Sequence, residues 1–298
     1  MCLYAVEKDS AQFEYIPDDY KTLEMCISVI EENDSLFKYI PDKFKTTEIC
    51  ISILKKHIEK WENEKNQYYS SSSSQQKLQE LSESFLGMVP ETSITTEFCD
   101  LLINCDISLF NKVPNSFKTP ELCFKVIKED IKYFQQVPDE KKTYEMCLYA
   151  VKVDKNQFEY VPDAVKTIEL CIIALDVNLK LMKFVPENIK TIDFWIEFAL
   201  KNKDNDSVFS YIDDSFKTNQ FWLEVVKRDG KFLQKTPEKF INTEYLLELM
   251  QADGMLLSYV PQKMQTPKIC LEAVKNTRDA LKYVPENLKE DIIDQLER

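Results

Sequence analysis

A proline-centred motif that returns every 24 residues constrains this chain more than any other feature. Pro17, Pro41, Pro90, Pro114, Pro138, Pro162, Pro186, Pro237, Pro261 and Pro285 share one register, and Asp213 holds the same register between Pro186 and Pro237. That makes about eleven copies of one unit. A piece so short cannot enclose a core; it buries its apolar face only against its neighbours. The expected fold is therefore all-α, an α-solenoid of about eleven two-helix repeats of 24 residues.

The grammar inside the unit is physical. Thr stands five residues after the proline, at Thr22, Thr46, Thr95, Thr119, Thr143, Thr167, Thr191, Thr218 and Thr266. A threonine hydroxyl accepts from an orphan backbone N–H and so starts a helix. Pro120 and Pro267 follow it directly, in the one helical position that suits proline. Glu24, Glu48, Glu97, Glu121, Glu145 and Glu169 fall in the first turn, where the dipole favours an anion. Apolar residues then recur at helical spacing, as in Cys147, Ala150 and Val151. A second, shorter helix is expected up to the next proline, with Phe158 and Val161 on its apolar side, and a turn after it.

Two breaks interrupt the register. The step from Pro41 to Pro90 is 49 residues, which predicts an insertion at about 57–84 that includes the run Ser70–Ser74, or else a degenerate unit. Three extra residues precede Asp213, and Trp195 and Trp222 take the cysteine position there. A ring in place of a thiol widens the packing. The expected organisation is an N-terminal arm, 1–201, and a C-terminal arm, 202–298, or one continuous solenoid. The segment from Met1 to Val6 matches Met146 to Val151 without a threonine cap, so either this first helix frays or further units precede it.

The unit resembles tandem repeats of uncharacterised bacterial and giant-virus proteins, grouped as a domain of unknown function, whose units read roughly Val-Pro-Glu-x-x-Lys-Thr-x-Glu-x-Cys-x-x-Ala-Val. The match is closest at Val137–Cys147, Val161–Cys171 and Val260–Val274. The resemblance implies an all-helical array and brings no catalytic residue with it.

Chemistry is scarce in the sequence. Eight of the nine cysteines, all but Cys105, occupy one repeat position. Equivalent residues on packed helices lie about 8–10 Å apart, whereas a disulfide needs Cα atoms about 4.4–6.8 Å apart. Reduced, buried thiols in a cytoplasmic setting follow, or in a host cytosol for a secreted effector. His57 lies two helical turns from Cys50, too far for a catalytic pair. Asp204-Asn205-Asp206 lacks the glycine and closing glutamate of a calcium loop and reads as a polar turn. No catalytic residue, metal site or cofactor is expected, and no apolar run is long enough to cross a membrane.

Recognition is then the expected role: a non-enzymatic scaffold for a protein or peptide, a basic one given the net charge of −13. The acidic balance argues against nucleic acid. The alternative is a single-stranded RNA-binding helical repeat, whose tyrosines would stack on bases. Candidate binding residues are the tyrosines two positions before the proline, Tyr15, Tyr39, Tyr160, Tyr211, Tyr259 and Tyr283, together with Trp195 and Trp222. The lysines at the position of Lys142 and Lys166 are expected to be solvated, in surface ion pairs of little energy.

Overall fold

The computed structural model describes residues 4, 6, 8–67, 85–176 and 178–297. Among them every regular element is helical and there is no strand. The α-helices are α1 (Leu23–Glu32), α2 (Thr47–Gln67), α3 (Thr96–Cys105), α4 (Pro120–Glu129), α5 (Tyr144–Val153), α6 (Ile168–Leu175), α7 (Ile192–Lys201), α8 (Asn219–Arg228), α9 (Thr243–Ala252), α10 (Pro267–Asn276) and α11 (Glu286–Glu297).

The unit around α4 shows why each element forms. The Thr119 hydroxyl accepts from the Leu122 N–H at 3.2 Å, and Pro120 opens the helix. Leu122, Cys123, Val126 and Ile127 are its buried residues. The second helix of the unit differs from the expectation: it is a 3-10 helix, Ile131–Gln136. Its cap, Asp130, accepts from the Lys132 N–H two residues on, at 3.0 Å. That tight turn, and a run of only six residues, favour i→i+3 bonding. Asp9, Asn33, Asp106, Asp154, Asn178, Asn205, Asp229 and Asp253 cap their units in the same way. Val137 is extended, as a residue before proline must be. After Pro138 the chain makes a further three-residue 3-10 turn, Asp139–Lys141, where an irregular turn was expected.

The repeated lysine is the largest departure from the sequence reading. The side chains of Lys21, Lys45, Lys142 and Lys166 are at most 8% exposed, not solvated. Each ammonium meets an aspartate three residues earlier and lies over a phenylalanine of its own unit. For Lys166 the distances are 2.8 Å to Asp163 and 5.0 Å to the Phe158 ring centre. Lys21 also donates to the Tyr39 carbonyl at 2.7 Å, and Lys166 to the Phe184 carbonyl at 2.8 Å, in each case 18 residues onward. The lysine thus ties one unit to the next. A buried ammonium is tolerable only with such compensation, here from an anion, a carbonyl and a ring face. The ring and the carbonyl come from other turns of the chain, so sequence spacing alone does not reveal them.

The chain divides into two compact units, Met1–Val153 and Asp154–Arg298. In the first, α2 packs on α3. α2 runs on into the expected insertion, as far as Gln67. The serine run and the rest of the insertion, like Cys2 and the side chain of His57, lie outside the described residues. In the second unit each of α6 to α10 packs on the α-helix that follows it. The 3-10 helices Gly230–Gln234, Gly254–Tyr259 and Arg278–Tyr283 form a parallel series, each on the next. The break at 202–206 lies inside this unit. There the Asn202 side chain donates to the Phe198 carbonyl, and the Asn205 N–H to the Asn202 carbonyl. Asp204-Asn205-Asp206 is a polar turn leading into a 3-10 helix.

Candidate interaction surface

The thiols are core groups. Cys26, Cys50, Cys99, Cys123, Cys147, Cys171 and Cys270 are free and buried. Burial pushes the Cys147 thiol up to about 11 and that of Cys171 up to about 12. A thiol held protonated through the neutral range is a poor nucleophile and a poor metal ligand. Among the described residues no three His, Cys, Asp or Glu side chains gather as metal ligands would.

Trp195 and Trp222 are each only 3% exposed. Trp195 packs among Phe194, Phe198 and Phe216, and Trp222 against Phe221 and Phe209. These two candidates are framework, placed behind the surface. The tyrosines differ from one another. Tyr15, Tyr160 and Tyr211 are exposed, whereas Tyr39, Tyr259 and Tyr283 are half-buried. Tyr15 and Tyr39, one repeat apart, both lie near Glu14, and their hydroxyls hold its carboxyl below the usual range. The structure therefore brings successive tyrosines together at that end.

In the second unit the tyrosine position builds a cleft. Its volume is about 460 Å³, and its walls include Lys203, Asp206, Lys231, Phe232, Lys235 and Tyr259. Lys235 occupies the tyrosine position of its own unit, two residues before Pro237. Tyr259 holds the same position one unit on. Its ring packs against Gly230, where an added Cβ would collide with the ring carbons Cδ2 and Cε2. Glycine is required there by this close approach. A second hollow that shares Tyr259 is lined by Arg228, Asp229, Asp253 and Tyr283.

Electrostatics in the cleft are local. Lys235 reaches Asp206 at 2.7 Å, and Lys203 reaches Asp229 at 3.3 Å. The ammonium of Lys235 also lies 5.9 Å from the Phe209 ring centre and 5.6 Å from that of Phe232. Lys231 is exposed and has no ion-pair partner among the described residues. Segment 227–239 carries five Lys or Arg against two Asp or Glu, in a chain of net charge −13. Sequence reasoning found Tyr259 but missed Lys203, Lys231, Lys235 and Gly230. A signal for them existed: the three-residue insertion, and a glycine at a position that only Gly254 shares among the other units.

Residues 242–289 match the family described as "Domain of unknown function (DUF4116)". That segment covers α9, α10 and the 3-10 helices between and after them. No curated protein matches the chain, and no solved structure does.

Proposed function

We propose that this chain is a helical-repeat scaffold, its units stacked as a solenoid, which holds a peptide segment of another protein along its tyrosine positions. One observation carries the reading. In the second unit each α-helix packs on the next, and so do the 3-10 helices from Gly230 to Tyr283, an order that supports a regular spacing of the tyrosine position. Stacked repeats of this kind present long surfaces suited to extended partners. Tyrosine suits such surfaces because it offers a large apolar face and a polar tip. The catalytic alternatives have little to use, since the recurring thiol is buried and protonated and the recurring lysine is tied into the packing.

Peptide selection tests this. Random peptides selected on the immobilised protein should fall into one sequence class. Its binding should fall at least tenfold in a Tyr160→Ala or Tyr259→Ala variant. Enriched peptides indifferent to every tyrosine in the series would overturn the reading.

A further inference from the structure

We infer that the cleft around Tyr259 is a docking site for an acidic peptide segment, one that presents a carboxylate beside an apolar side chain. This deepens the scaffold reading and rests on it. The first support is where the repeat grammar fails. Across residues 202–237, which span two repeats, the chain gains three residues, Asp213 replaces the proline, Trp222 replaces the thiol and Lys235 stands at the tyrosine position. The insertion and Lys235 line this one cleft, Gly230 lies against its Tyr259 wall, and Trp222 contacts Phe209, the ring that Lys235 lies over. Local rules broken together at one place are the mark of a site shaped for something other than folding.

The second support is the chemistry of the walls. In regular units the phenylalanine four residues before the proline is covered by the lysine of its own unit, as Phe158 is by Lys166. Phe209 holds that position but is half-buried, and Lys235 of the next unit lies over it instead. Lys235 is held in place by two rings and by its donation to the Lys203 carbonyl, while its anion, Asp206, has a side chain 86% exposed. An exposed ion pair of this kind is worth about 0–1 kcal/mol. An incoming carboxylate can therefore replace Asp206 at small cost, with the unpaired Lys231 as a second donor. The Tyr259 ring supplies the apolar wall.

The local charge selects the partner against the overall charge. At physiological salt, fields fade within about 8 Å, so a bound segment senses the lysines of the cleft more than the distant acidic residues. A nucleic-acid strand fits less well, because Asp204, Asp206, Asp229 and Asp253 stand among these lysines and repel a continuous row of phosphates.

The test is fluorescence polarisation with three labelled probes: a decapeptide of alternating Glu and Leu, its Lys-Leu counterpart, and a ten-nucleotide oligouridylate. The acidic peptide should bind, and should weaken as salt rises. Lys231→Glu should reduce its affinity at least fivefold and Lys235→Glu at least tenfold. Lys263→Glu, a charge-matched change elsewhere in the same unit, should alter it less than twofold. The acidic peptide should also change the emission of Trp222, isolated by replacing Trp61 and Trp195 with Phe. Lys231 is exposed, so its variant folds and decides the matter even if Lys235→Glu does not. Preference for the basic peptide or the oligonucleotide, or acidic binding indifferent to Lys231→Glu, would overturn the proposal. Selected peptides that bind through Tyr160 and ignore the cleft would do the same while leaving the scaffold reading standing.

Discussion

The regular unit around Pro138 and the irregular one around Asp213 are built from the same plan with opposite results. In the first, Phe134 is fully buried and Lys142 seals it, with an ammonium 4.9 Å from the ring centre. In the second, Phe209 is half-buried, and Lys217 is 24% exposed and paired only to Asp214, itself 96% exposed. The two units share threonine caps, Asx turns and the helical frame. They differ in whether ring and cation close on each other. Where they close, the surface is inert. Where they do not, a cleft opens that the neighbouring unit lines with Lys235.

The contrast is broken most directly by ring truncation. Phe134→Ala should lower unfolding free energy by about 3–5 kcal/mol, the usual range for a buried phenylalanine. Phe209→Ala should cost less than half as much, because that ring is already partly in water. Chemical denaturation of both variants measures the difference; equal losses would mean that Phe209 is as much a core residue as Phe134.

The lysines come next. Lys142→Ala should cost about 2 kcal/mol, since it uncovers the Phe134 ring and removes a buried charge-assisted contact. Lys142→Met should recover part of this through its apolar stem. Lys217→Ala should stay within about 0.5 kcal/mol, as for exposed pairs.

Alkaline pH probes the core of both kinds of unit. The thiols of Cys26, Cys50, Cys99, Cys123 and Cys147 are pushed up to about 11 by burial. An unfolded thiol ionises near 8.5. The folded state therefore favours the protonated form. Its contribution is full below about pH 8.5 and is lost as pH rises toward 11. The melting temperature should fall across that window. A thiol reagent at pH 8 should label these residues only after unfolding, and rapid native-state labelling would show that they are not core groups.

The smallest effect sharpens the comparison by showing no contrast. Thr143 accepts from Met146 N–H at 3.3 Å and Thr218 from Phe221 N–H at 3.2 Å. Substituting either with Ala should cost about 1 kcal/mol, in regular and irregular unit alike, as thermal melts would report. A large gap between them would place the irregularity in the helical frame as well as in the ring and cation.

The sequence by itself determined the repeat, the helix starts and the burial of the thiols. These depend on neighbours within one or two turns, and a threonine, a proline or an i, i+3, i+4 stripe carries its own physics. It also indicated where the pattern would break. Only the tertiary structure decided that Lys142 and Lys166 are buried, that the second helix is 3-10, and that Gly230 makes room for Tyr259. A lysine's environment is set by a ring eight residues behind it and, for Lys166, a carbonyl 18 residues ahead, and a cleft by three separate segments meeting in space. Such groups meet only once the chain has packed, and no local spacing encodes them.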